Sequence, residues 1–160
     1  MTHHLSRQFR QPLDLAWLED AGITLDQYRD ELNLLSVCAA MHAVESHSLP
    51  ASVEQAVARG FFDQLRELVS MAHERLSDVG ELTDYYADAA LRDAASPPAP
   101  GDFAVFDEAF GDRLLALGES TETRGHACIK LSLVTPRMLW DRVSQNTHMA
   151  LTEARLLPHH

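Results

Sequence analysis

An all-α bundle of about five to seven mostly antiparallel helices is what this sequence predicts, and three observations carry that expectation. Apolar residues recur at three- and four-residue spacing through most of the chain. Helix start and stop signals bracket those periodic stretches. Only one short segment alternates like a strand, and it has no convincing partner.

The first eleven residues, MTHHLSRQFRQ, show no period and read as an arm. Residues 12–158 read as one helical domain. Pro12 suits the first turn of a short helix, and Gly22 is placed to close it. Thr24 and Gln27 then form a T-x-x-Q capping box, with Ile23 and Tyr28 as the hydrophobic staple. The helix they open carries Leu25, Tyr28, Leu32, Leu35, Ala39 and His42 on one face. It should end near His47, ahead of Leu49-Pro50.

A long third helix is expected from about Pro50 to Leu76, with Val53, Val57, Phe61, Leu65, Leu68 and Ala72 in period. A fourth, near Glu81 to Ala94, carries Leu82, Tyr85, Tyr86 and Ala89 on one side. The segment 95–102, ASPPAPGD, breaks any helix and reads as a loop within the domain. Asp102 is placed to cap a fifth helix with a stripe of Phe103, Phe106, Phe110, Leu114 and Leu117, stopped by Gly118. Residues 126–134, HACIKLSLV, read as a short buried helix, with an edge strand pairing across a homodimer as the alternative. Thr135-Pro136 opens a last helix that turns Trp140, Val143, Thr147, Ala150, Leu151 and Ala154 inward.

A length of 160 residues with 46% hydrophobic and 23% charged residues is a globular composition. No apolar run is long enough to span a bilayer, and the first residues lack the apolar core of a signal peptide. Cys38 and Cys128 form no CxxC pair and fit a reducing compartment, so a cytoplasmic location is expected. Thirteen basic residues face 24 acidic ones, a net charge of −11. That balance disfavours direct nucleic-acid binding and adhesion to anionic membranes, and it suits a partner protein with a basic surface.

The acids concentrate between Asp78 and Asp112, where only Arg92 opposes them. Asp84, Asp88, Asp107, Glu108 and Asp112 are therefore the candidate partner-binding residues; the plainer reading is a solvated helix face. A second candidate lies in VCAAMHAVESH, residues 37–47. Cys38, His42 and Glu45 stand at i, i+4 and i+7 on one helix face, as a thiol nucleophile, a general base and its orienting carboxylate would. The plainer reading makes Cys38 and Met41 ordinary core residues and leaves Glu45 and His47 solvated at the helix end.

Five internal histidines, His42, His47, His73, His126 and His148, are candidate metal ligands, but no HxxxH, ExxH or CxxC spacing joins them. A metal site would have to be assembled from different helices. No GxSxG elbow and no glycine-rich phosphate loop occurs. The reading that follows is a regulator, inhibitor, adaptor or immunity-type factor that works by protein–protein interaction without a cofactor. The alternative is a helical protein that binds a transition metal, haem or small ligand, with an enzyme among the options, centred on His42 with Cys38 and Glu45.

Overall fold

A computed structural model describes residue 18 and residues 22–68, 78–100, 102–118 and 136–154. Within these residues lie five helices and no strand: α1 (Leu25–Glu45), α2 (Ala51–Leu68), α3 (Val79–Ala95), α4 (Val105–Leu117) and α5 (Pro136–Glu153). The architecture is the expected all-α helical bundle. None of these helices is long and apolar enough to cross a membrane. The arm 1–11 and the segment 126–134 lie outside the described residues, as do the continuation expected for the third helix to Leu76, Cys128, His73 and His126.

Helix α1 starts where the capping box places it. The Thr24 hydroxyl accepts from the Gln27 N–H at 3.1 Å, and the Gln27 side chain accepts from the Thr24 N–H at 2.9 Å. These bonds satisfy two groups that a helix end leaves bare. The expected one-sided stripe is too narrow a description of this helix. Leu34, Cys38, Ala40, Ala43 and Val44 are buried as well as Tyr28, Leu32, Leu35 and Ala39. The cause is position: α1 packs against all four other helices, so little of its circumference meets water. At Ala39 the Ser144 hydroxyl of α5 reaches the backbone carbonyl at 3.4 Å.

Burying α1 all round also buries its charges. The Glu31 side chain is 1% exposed and takes a two-point ion pair from Arg113 of α4, Nε to Oε2 at 3.2 Å and Nη2 to Oε1 at 3.4 Å. Burial alone would pull the Arg113 pKa down, but the adjacent Glu31 outweighs it and the net shift is upward. The pair is held by geometry that matches a guanidinium to a carboxylate.

Helices α3 and α4 run antiparallel, joined by the proline-rich turn. Tyr86, Phe106 and Trp140 form an aromatic knot between α3, α4 and α5, with ring centroids 5.3 to 6.1 Å apart. Phe106, Phe110 and Leu114 are fully buried, each contributing on the order of 1.5–3 kcal/mol of apolar burial. Two expectations change here. Tyr85 is 42% exposed and sends its hydroxyl across the surface to the Ala109 carbonyl, 3.3 Å away. Phe103 is likewise exposed, because α4 begins two residues beyond it.

That later start has a specific cause. Asp102 does not cap α4; the N-cap is Ala104, which has no side-chain acceptor. The acceptor comes from α3 instead. Buried Asp93 takes the Val105 N–H at 2.7 Å on Oδ1 and the Phe106 N–H at 3.0 Å on Oδ2. A carboxylate at a helix N-terminus is favoured by both the bare N–H groups and the helix dipole. Arg137 at the start of α5 backs it, 3.9 Å from Asp93, while donating to the Ala90 carbonyl at 3.2 Å and lying over the Phe106 ring. In α5, Trp140, Thr147 and Leu151 point inward as expected and Leu139 joins them, while Val143 is half-buried and Ala150 and Ala154, expected inward, are exposed.

Replacing Asp93 with alanine strips the Val105 and Phe106 N–H groups of their acceptor and removes the carboxylate that Arg137 faces. The expected cost is about 2–4 kcal/mol of unfolding free energy, read as a lower urea midpoint with an unchanged slope. Asp93→Asn, which retains one good acceptor, should lose less.

Candidate functional site

The residues grouped by the i, i+4, i+7 spacing on α1 separate by depth. Cys38 is free and fully buried, with its sulfur 3.9 Å from the Val79 carbonyl of α3. Burial pushes its thiol up to about 11, against smaller opposing influences from Thr83 and Arg113. A thiol held that high is almost wholly protonated at neutral pH, so it lacks the thiolate character a nucleophile needs. His42 sits half-buried one turn on, its ring 5.5 Å from that of Trp140. Glu45 stands at the surface. The helix thus delivers the three groups to core, boundary and solvent.

Glu45 instead meets other acids. Its pKa is raised by partial burial, then by Glu54 of α2 and Asp84 of α3, with His42 acting in the opposite direction. Carboxylates from two other helices thus lie within electrostatic reach of Glu45. None of the three has an ion-pair or hydrogen-bond partner among the described residues.

The acids nominated from the sequence take different positions around this region. Asp84 and Asp88 are exposed one turn apart on α3, and Asp88 pairs with Arg92 at 2.8 Å. Glu108 is exposed on α4, on the turn beside Ala109, where the Tyr85 hydroxyl arrives. Asp112 is half-buried one turn further along and is engaged with its surroundings. Asp107 is committed to holding the fold, since its Oδ1 accepts the Arg137 N–H at 3.1 Å at the first turn of α5. Burial raises its pKa, and the bond from Arg137 opposes the rise.

The histidines show one juxtaposition that the spacing could not reveal. Beyond the end of α1, the His47 N–H donates to the Val44 carbonyl at 3.1 Å, and its ring meets His148 of α5. His47 Nε2 and His148 Nδ1 lie 2.9 Å apart, with ring centroids at 4.7 Å. His42 belongs to neither group fully: it tempers Glu45 and stacks on Trp140. Among the described residues no three His, Cys, Asp or Glu side chains converge as a metal-binding set.

Sequence reasoning missed Glu54 as a member of the acidic region and missed Asp93 as a structural carboxylate. Asp93 had a signal: an acid in the last turn of a helix opposes that helix's dipole, so it needs a partner elsewhere. No protein-family model, curated protein or solved structure matches the chain.

The upward shift of Glu45 fixes a pH dependence. An acid that holds its proton more tightly when folded costs stability once ionised, so its contribution is unfavourable above its raised pKa and fades below the ordinary carboxylate range. Glu45→Gln should raise stability at pH 7 by about 0.2–0.5 kcal/mol, the size of a surface like-charge term. The gain should shrink as the pH falls toward about 4, where an ordinary glutamate protonates. Paired urea titrations at the two pH values check both the sign and the trend.

Proposed function

We propose that this protein acts by binding another protein that presents basic side chains, through the acidic surface where α1, α2, α3 and α4 meet water. One observation supports this reading above the others: Glu54 and Asp84 come from two other helices into electrostatic reach of Glu45, with only His42 acting on Glu45 in the opposite direction. Like charges gathered with so little counter-charge destabilise the isolated fold. A lysine or arginine from a partner relieves that repulsion on binding, which is electrostatic complementarity in its simplest form.

Asp88, Glu108 and Asp112 extend the acidic surface along α3 and α4. The exposed Tyr85 ring between these helices gives it an aromatic contact, anchored through its hydroxyl to Ala109. Aromatic side chains with fixed rotamers contribute disproportionately to protein interfaces. The net charge of −11 adds a long-range field that speeds encounter with a basic surface. Asp107 takes no part, because its carboxylate is committed to α5. In this reading the protein is a regulator, inhibitor or adaptor, and no step of chemistry is assigned to Cys38, His42 or Glu45. A cytoplasmic setting is part of the same proposal, carried by the cysteine usage.

The test compares the wild type with a Glu45→Gln, Glu54→Gln, Asp84→Asn, Asp88→Asn, Glu108→Gln variant. Proteins captured from lysate by the wild type should be basic and salt-sensitive, and should be lost from the variant while its helical circular dichroism is unchanged. Capture that survives the five neutralisations would overturn the assignment of this surface.

A further inference from the structure

The rings of His47 and His148 carry an inference independent of the acidic surface. Two neutral imidazoles with nitrogens 2.9 Å apart form an N–H···N hydrogen bond in which one ring donates and the other accepts. The same spacing has a second use. A metal–imidazole bond is about 2.0–2.1 Å, so two nitrogens at this separation subtend about 90° at an ion that both bind. That is a cis pair of an octahedral or square-planar site. A tetrahedral ion would need the nitrogens about 0.5 Å further apart. Square-planar and tetragonal coordination by nitrogen is the preference of copper(II) and nickel(II).

The two ligands are supplied by separate elements whose relative position is fixed by packing. His148 projects from the middle of the last two turns of α5, and its own carbonyl accepts the Thr152 hydroxyl at 3.0 Å, which is ordinary helix geometry. His47 follows the end of α1, where Ser46 and His47 donate to the His42 and Val44 carbonyls. Below the pair, Val44, Leu49 and Leu151 form a buried apolar cluster that locks this end of α1 to α5. The rings themselves are accessible: His148 is exposed and His47 partly so. An ion can therefore reach them from solvent. With no third protein ligand converging among the described residues, water completes its coordination.

We infer that His47 and His148 form a two-histidine site for a divalent transition-metal ion, copper(II) or nickel(II) by its geometry, which clamps the end of α1 to α5. Binding displaces the hydrogen bond between the rings. The donor ring moves its proton to its other nitrogen, so both rings offer a lone pair and no net proton is released. The ion then stabilises the folded state, because the unfolded chain does not hold the two rings together.

The experiment titrates NiCl2, and separately CuCl2, into full-length protein in which His3, His4, His159 and His160 are replaced by alanine, so that the terminal histidines do not compete. Calorimetry should give one ion per chain, and the thermal midpoint should rise with ion concentration. His47→Ala or His148→Ala, each folded by circular dichroism, should weaken binding by more than about tenfold and abolish the thermal shift. His42→Ala should leave both intact. Copper electron paramagnetic resonance should show two coupled nitrogens, reduced in either single variant. Equal affinity in the parent and the His47 and His148 variants would overturn the proposal, as would the lack of any stoichiometric ion.

Discussion

The carboxylate of Asp93 is the contact on which the arrangement of three helices depends. It sits near the end of α3, closes the open N–H groups at the start of α4, and faces the arginine at the start of α5. A helix start without a side-chain cap must find an acceptor or stay solvated. Ala104 offers none, so the first turn of α4 is tied to another helix rather than to its own loop. That tie sets where Phe106 enters the aromatic knot with Tyr86 and Trp140. It also sets where Arg137 lies, between the Ala90 carbonyl, Asp141 and the Phe106 ring. Asp107 repeats the device one step further by accepting the Arg137 N–H. Two carboxylates that a composition count would assign to surface charge thus hold helix starts together.

With one end of the bundle closed in this way, α1 occupies the middle and loses most of its surface. The consequence for chemistry is direct. A thiol at Cys38 is isolated from water and kept protonated, and Glu31 is held inside by an arginine that meets it at two points. Polar groups that keep access to solvent collect where α1 emerges. Glu45 meets Glu54 and Asp84 on one side, and His47 meets His148 on another. The histidine pair and the Glu45 end of the acidic surface both fall here, where buried architecture gives way to exposed side chains.

Much of the fold was legible in the sequence. The Thr24–Gln27 box, the Phe106-Phe110-Leu114 stripe and the proline-rich turn each express a local rule, and the structure obeys them. What was not legible depends on neighbours in space. Periodicity placed Cys38, His42 and Glu45 on one face but said nothing about how many helices would surround that face. Local capping rules pointed to Asp102, while the acceptor for α4 lay on α3. The acidic span from 78 to 112 read as one surface, yet Asp93 and Asp107 were drawn inward by bare helix starts, and Glu45 and Glu54 joined from outside the span. The pairing of His47 with His148, 101 residues apart, is invisible to any spacing rule.

Native-state hydrogen exchange at the Val105 and Phe106 amides tests this account most directly. First-turn amides have no partner within their own helix and ordinarily exchange fast. If Asp93 accepts both, they should be protected as strongly as the amides in the middle of α4 and open only with the whole bundle. Fast exchange at these two amides, beside a protected helix, would contradict the claim that Asp93 joins α3, α4 and α5.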